Sequence, residues 1–136
     1  MSIPLLCLLG FAGWTLALVV AGIGAIRVFK VLSGQARPNQ FPADEPHGSP
    51  AYRRLMRAHA NCVENLPIFA TLVLVTEVLG RRDPLFDSLA MAILVARVGQ
   101  SVAHISSGRS LVINVRFVMF STQVVAFVWW GLRLVL

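Results

Sequence analysis

The chain has 136 residues and a mass of 14.8 kDa, and 57% of its residues are hydrophobic while only 13% are charged. Soluble globular domains carry roughly 25% charged residues, so the composition disfavours a soluble domain, a disordered tail or a disulfide scaffold and indicates a membrane protein. There are 12 Lys and Arg residues and 6 Asp and Glu residues, which leaves a net charge of +6. In this apolar background the excess of basic residues indicates positive-inside topology and an anion-binding site. We predict no nucleic-acid partner.

Four apolar stretches approach the length of about 20 residues that a helix needs to cross a bilayer. We predict helices over residues 5–32, 51–79, 84–106 and 111–135, with a Pro- and Gly-containing loop over 33–50. Gly80 is predicted to end the second helix, and Asp83 and Pro84 to begin the third. Short connections make sequential helices antiparallel, so the predicted fold is an all-α, up-down four-helix bundle in one domain over residues 1–136.

The distribution of basic residues predicts which way the bundle faces. Most of them fall on the side that holds the first loop and the third connection, while Arg81, Arg82 and Arg133 fall on the other. Positive residues favour the cytoplasmic side, so we predict that both termini are non-cytoplasmic. Cys7 and Cys62 form no metal or redox motif, and we predict two buried free thiols and no bound metal.

Ionisable residues inside apolar spans are costly and mark either mutual pairing or function. Three predicted helices carry a polar stripe at spacings of three and four, and His59 falls on a different side of its helix. The stripes consist of Arg54, Arg57, Asn61 and Glu64; of Arg97, Gln100, Ser101 and His104; and of Arg116, Phe120, Gln123 and Phe127. Two interpretations stay open: an ion-pair network that joins the second and third helices, or a polar cavity for an anionic ligand such as a carboxylate. The second is favoured by Glu64, which is the one acid of these stripes.

The run from Arg57 to Phe69, RAHANCVENLPIF, resembles the second-helix signature of the MAPEG family, the membrane-associated proteins of eicosanoid and glutathione metabolism. Pro67, three residues after Glu64, is similar to the leukotriene C4 synthase and five-lipoxygenase-activating branch. The length, the four spans and the run from Gly34 to Arg37 (GQAR) extend the resemblance over the whole chain. The chain resembles a bacterial-type member of the family, related to microsomal glutathione transferase and leukotriene C4 synthase. If the source is a bacterium, the resemblance implies a location in the inner membrane.

This resemblance implies a homotrimer with glutathione, as cosubstrate, bound between subunits near the cytoplasmic face. The implied catalytic residue is Arg116, at the start of the fourth helix, with Arg109 as a rival. The family pattern has His or Tyr at the position of Gln100, and Tyr at the position of His104. The phenol group of this second position is therefore absent. The implied glutathione-binding residues are Arg37, Arg54, Arg57, His59, Asn61, Glu64, Arg97, Gln100 and His104.

The predicted function is a membrane-bound glutathione transferase that adds the glutathione thiolate to lipophilic electrophiles, with glutathione peroxidase activity as an extension. An arginine near the sulfur would favour the thiolate, and Phe120 and Phe127 are the predicted walls of a hydrophobic substrate groove. Phe117 follows Arg116 where prostaglandin E synthases have a serine, which disfavours that isomerase chemistry. The alternatives are a non-catalytic protein that binds lipid and presents it to an enzyme, and a small transporter or channel subunit. The latter would need polar residues along the whole length of a span.

Overall fold

The computed structural model describes residues 1–42, 45–107 and 109–136, and in this part of the chain it is all-helical. Four helices are each long and apolar enough to cross a membrane: α1 (Ile3–Leu32), α2 (Pro50–Val78), α3 (Pro84–Ser106) and α4 (Ser110–Val135). Each boundary lies within two residues of its predicted position. Within α1, the stretch Leu18–Gly24 is π-helical, which the sequence analysis did not predict. The predicted fold class is confirmed.

Three of the helices begin in the same way, because a polar N-cap side chain is followed by proline in the first turn. The hydroxyl of Ser49 accepts a hydrogen bond from the backbone N–H of Tyr52 at 3.2 Å, and the carboxylate of Asp83 accepts one from Leu85 at 2.9 Å. Ser2 caps α1 in the same way. Such caps satisfy backbone donors that a helix start leaves without a partner, and proline fits where no donor is needed. The predicted N-cap role of Asp83 is therefore confirmed.

Contacts at the two ends of the bundle show that successive helices run antiparallel. Near the start of α1, the hydroxyl of Ser2 donates to the carboxylate of Glu77, in the last turn of α2. At the other end, the Arg27 Nε donates to the Tyr52 hydroxyl at 2.6 Å. Arg133, in the last turn of α4, contacts Asp83, just before α3, at 3.2 Å. Both termini therefore lie at one end, and residues 33–42 and 45–49 lie at the other with the end of α3 and the start of α4; we call this the loop end. The side of the membrane that each end faces stays a prediction.

The core is built around aromatic side chains at the end opposite the loop end. Phe69 of α2 is fully buried, and its ring centroid lies 5.6 Å from that of Phe11 and 6.1 Å from that of Trp130. Trp130 also stacks on Phe86 at 5.2 Å. Helix α3 packs against the other three helices, and within the described residues α1 and α4 do not pack against each other. Many large apolar side chains remain exposed on the outside of the bundle, as a bilayer environment allows.

Candidate functional site

A cavity of about 920 Å³ opens at the loop end, between the first half of α2, the end of α3 and the start of α4. Its volume falls within the range of about 300–1,000 Å³ that is usual for small-molecule sites. We call it the site cavity. Its lining consists of Glu45, Pro46, His47, Pro50, Arg53, Arg54, Met56, Arg57, Ala60, Asn61, Glu64, His104 and Arg116.

Helix α2 supplies one wall of the site cavity as a single stripe. Arg57, Asn61 and Glu64 recur every three or four residues, so the helical period brings them onto one face. Arg54, one turn earlier, is half-buried, and its Nε donates to the backbone carbonyl of Ile105 at 3.3 Å. That bond also satisfies a carbonyl in the last turn of α3, where no intrahelical donor follows.

A chain of side chains connects α2, α3 and α4 across the cavity. The His104 Nε2 lies 3.1 Å from the side-chain amide of Asn61, and its Nδ1 lies 3.2 Å from the Arg116 Nη1. His104 is 6% exposed, whereas Arg116 is half-buried and reaches the cavity wall. One polar residue from each of the three predicted stripes therefore takes part in this chain of contacts.

The loop supplies the opposite wall through Glu45, Pro46 and His47. The His47 ring lies 5.4 Å from the Tyr52 ring, and Tyr52 is 5% exposed and hydrogen-bonded to Arg27. This aromatic contact holds the end of the loop against the start of α2, and Glu45, two residues before His47, lines the same cavity as the arginines of α2.

The charge of the lining is positive. Four arginines (Arg53, Arg54, Arg57 and Arg116) and two glutamates (Glu45 and Glu64) line the cavity, so with neutral histidines the lining carries a net charge of +2. Guanidinium groups bind carboxylates through paired hydrogen bonds, and the two carboxylates can accept from an ammonium group. The arrangement can therefore hold a zwitterionic ligand with excess negative charge. Across residues 1–42, 45–107 and 109–136, no group of His, Cys, Asp and Glu side chains could hold a metal ion.

Six residues of the predicted set line the site cavity: Arg54, Arg57, Asn61, Glu64, His104 and Arg116. The rival Arg109 is exposed at the N-cap position of α4, outside the lining. Arg37 is exposed in a turn of the loop, where its backbone N–H donates to Gln40. His59 lies on the other side of α2, outside the lining. No ligand tests these roles, and all of them stay predictions.

Two further predicted residues, Arg97 and Gln100, are buried in the bundle and do not line the cavity. Gln100 accepts a hydrogen bond at 3.1 Å from the side-chain amide of Gln123, in α4. The Arg97 guanidinium lies over the Phe11 ring, 5.6 Å from its centroid. The polar stripe of α3 therefore extends from the cavity wall at His104 into the core.

A model of the MAPEG family matches residues 4–136, which is essentially the whole chain. The chain belongs to the MAPEG family. It is therefore an integral, multi-pass membrane protein of a family that acts in glutathione and eicosanoid metabolism. A comparison with curated proteins gave no match. Membership confirms the resemblance that rests on Arg57 to Phe69, while the resemblance to one branch of the family stays a prediction.

This MAPEG chain also has an apolar groove of about 520 Å³ between α3 and α4. Its lining contains no charged side chain and consists of Leu89, Ala92, Phe117, Val118, Ser121, Thr122, Val125, Ala126 and Trp129. Neither predicted groove residue is among them. Phe127 is buried, 6.4 Å from Phe69 between ring centroids, and Phe120 is 44% exposed outside the groove. Their assignment to a substrate groove stays a prediction.

Glu45, His47 and Arg53 line the site cavity of this MAPEG chain but are not among the site residues predicted from the sequence. Arg53 precedes Arg54 on α2, and a cationic pair at the start of a polar stripe is a signal that could have indicated it. Glu45 and His47 belong to an irregular segment without periodicity, so their proximity to the arginines depends on the packing of His47 against Tyr52. No spacing rule predicts such a contact.

Proposed function

We propose that the site cavity binds glutathione and that the protein is a glutathione transferase for lipophilic electrophiles. The observation that carries the proposal is the meeting of four arginines, two glutamates, Asn61 and His104 in one cavity of a MAPEG chain. Glutathione has two carboxylates and one ammonium group, so it carries net negative charge, which increases when the thiol ionises and which a lining with a net charge of +2 attracts. An ion-pair network would instead need its arginines and acids to pair, but the salt bridges of the described residues lie at the opposite end, between Arg82 and Glu77 and between Arg133 and Asp83.

The walls suggest how the ligand is held. Arg57 and Arg54 bind carboxylates, and Glu64 accepts from the ammonium group of the γ-glutamyl end. Asn61 hydrogen-bonds the peptide backbone of the ligand. Glu45 and Arg53 are additional polar groups at the loop wall, within the same lining.

Arg116 activates the sulfur in this proposal. A thiol of ordinary pKa is only a few per cent thiolate at neutral pH, and a nearby cation lowers a thiol pKa by about 1–3 units. The thiol proton leaves to water, because a guanidinium does not act as a base. The thiolate then attacks an electrophilic carbon: with a chlorinated nitroaromatic, a C–S bond forms, the C–Cl bond breaks and chloride leaves.

Conjugation of a chlorinated nitroaromatic by the purified protein in detergent tests the proposal. We expect turnover by the wild type and a fall of about tenfold or more in kcat/KM at pH 7 for Arg116→Gln, since each pKa unit changes the thiolate fraction about tenfold. The defect should shrink towards pH 9, where the thiol ionises without assistance.

Two matched variants act as controls. Arg81→Gln removes an exposed arginine at the opposite end, where it donates to the carbonyl of Arg133, and should leave turnover unchanged. Arg109→Gln tests the rival arginine. A defect in Arg109→Gln with normal turnover by Arg116→Gln would contradict the role of Arg116, and a wild type that neither binds nor conjugates glutathione would contradict the function.

We also propose that the protein is a homotrimer, as family membership suggests. The exposed face of α1 leaves room for another helix, because a Cβ added at Gly13 would meet, apart from the backbone of its own helix, no atom of the described residues within 4 Å. Small residues of this kind allow close approach of membrane helices. The mass of the detergent-solubilised complex, measured by light scattering with the detergent contribution subtracted, tests this: a monomer would contradict it.

A second function, binding lipid without catalysis, is favoured by the apolar groove between α3 and α4. The lining is mostly apolar and holds no charged side chain, and the hydroxyl of Thr122 in its wall donates to the carbonyl of Val118 at 3.0 Å, so that hydroxyl needs no partner from an occupant. Calorimetric titration with glutathione separates the two functions. Binding of glutathione supports the transferase, and lipid retention without glutathione binding supports the second function.

A further inference from the structure

His104 uses both ring nitrogens to connect its neighbours. Its Nδ1 lies 3.2 Å from the Arg116 Nη1, and its Nε2 lies 3.1 Å from the side-chain amide of Asn61. The ring is 6% exposed, so little of it is left for a bound molecule. Asn61 comes from α2, His104 from α3 and Arg116 from α4, and the chain of contacts therefore crosses three helices.

The contact with Arg116 determines the protonation of the ring. A guanidinium can only donate, so the His104 Nδ1 must be the acceptor and the proton must lie on Nε2. That Nε2–H then donates to Asn61, which must present its amide oxygen. Amide oxygen and nitrogen positions are assigned from the hydrogen-bond network, and this network turns the Asn61 NH₂ group away from His104. If the ring were protonated, its Nδ1–H would face the N–H of Arg116, and two positively charged groups would lie in contact.

We propose that His104, as a neutral Nε2–H imidazole, is a positioning residue that holds the Arg116 guanidinium at the wall of the site cavity and turns the Asn61 amide towards the ligand. The proposal rests on the proposed function. It assigns His104 an action through Arg116 and Asn61, in place of the direct contact with glutathione that the sequence analysis predicts. In this arrangement Arg116 stabilises the glutathione thiolate, and Asn61 hydrogen-bonds the ligand.

Two isosteric variants separate these two actions. In His104→Asn, the side-chain oxygen takes the place of Nδ1 and still accepts from Arg116, while the contact with Asn61 is lost. In His104→Gln, the amide takes the place of Nε2 and keeps the contact with Asn61, while the anchor of Arg116 is lost. His104→Leu removes both contacts.

The kinetic expectations follow from the strengths of the lost bonds. For His104→Asn we expect kcat within about twofold of wild type and a glutathione KM that rises about three- to tenfold, as for one neutral hydrogen bond. For His104→Gln we expect the reverse, with kcat falling about tenfold because a charge-assisted bond is lost and KM little changed. A direct ligand contact would instead raise KM in both variants and leave kcat alike, which would overturn the proposal.

Nitrogen NMR of the full chain labelled at histidine, in detergent, tests the link without any turnover. The signal that disappears in His104→Asn identifies the residue among the three histidines. We expect an acceptor-type Nδ1 and a protonated Nε2, and a change at Nδ1 in Arg116→Gln but not in Arg81→Gln. A protonated Nδ1 would overturn the proposal, and so would a His104 Nδ1 signal that does not change in Arg116→Gln. If the wild type fails to bind glutathione, the proposed function fails, and these spectra still decide the link.

Discussion

Arg97 is a buried cation whose removal should stabilise the protein. Its side chain is 0% exposed, and among residues 1–42, 45–107 and 109–136 none of its three guanidinium nitrogens has a hydrogen-bond partner. One contact that offsets part of this cost is the Phe11 ring, whose centroid lies 5.6 Å from the Arg97 Cζ, and Cys62 and Glu64 also favour the cation. We predict that Arg97→Met raises the free energy of unfolding.

The magnitude follows from opposing contributions. A desolvated cation–π contact contributes about 2 kcal/mol. Each buried polar group without a partner costs about 1–3 kcal/mol, and guanidinium has three such nitrogens. Replacing even a buried ion pair, whose charges compensate each other, by apolar side chains of similar volume is often neutral or stabilising by about 1–4 kcal/mol when packing is kept. Methionine keeps the unbranched stem and fills the space against Phe11, so we expect a gain in this range.

Reversible unfolding in mixed micelles with increasing denaturing detergent measures the difference. Arg57→Met is the matched control, because Arg57 is exposed in the site cavity and its replacement should change stability by less than about 0.5 kcal/mol. If Arg97→Met is instead less stable than wild type by more than about 1 kcal/mol, the guanidinium is compensated in the protein and the reasoning is wrong. Glutathione affinity of the same variant then shows whether this buried charge serves binding.

Two further predictions concern the end opposite the site. Trp130→Phe removes the 2.9 Å hydrogen bond from the Trp130 Nε1 to the Thr76 hydroxyl and part of the aromatic packing, and should cost about 1–2 kcal/mol in the same unfolding assay. The backbone N–H of Leu85 and the guanidinium of Arg133 hold the pKa of Asp83 below its ordinary value of 3.8. A carboxyl with a lowered pKa stabilises the folded state at neutral pH and loses that contribution as the pH falls below 3.8 through the folded-state pKa. Asp83→Asn should therefore have a lower free energy of unfolding than wild type at pH 7. That free energy should also decline less steeply in acid than it does for wild type.

The helices could be predicted from the sequence because their signals are local. Hydropathy gives the spans, and Asp83 with Pro84 gives the start of α3. Gly80 ends α2 with φ at +62°, a conformation that glycine adopts without strain. The π-helical stretch in α1 could not be predicted in this way. It includes Gly22, where an added Cβ would come within 3.1 Å of the Leu55 side chain, so the local geometry depends on packing against another helix.

The site could be predicted in part for the same reason. The period of α2 correctly places Arg57, Asn61 and Glu64 on one face, since three and four residues complete a turn. The period gives the direction of a side chain around the axis, but it does not give the depth of that side chain in the bundle. His104 and Arg97 share a face of α3, yet one lines the cavity and the other is buried two turns away.

The cavity and the groove meet α4 on different sides, which bears on how one protein could serve both a polar and a lipophilic molecule. Arg116 lines the cavity and the next residue, Phe117, lines the groove. Consecutive residues of a helix point about 100° apart, so Arg116 and Phe117 face different sides of α4. A molecule lying in the groove therefore contacts the side of α4 that carries the exposed Phe117 and Val125, whereas the glutathione sulfur proposed beside Arg116 would lie on a different side. Within one chain the groove is thus better suited to holding lipid than to delivering an electrophile. Under the proposed function, an electrophile that reacts at Arg116 would reach it through the mouth of the site cavity or, in the proposed trimer, from a neighbouring subunit.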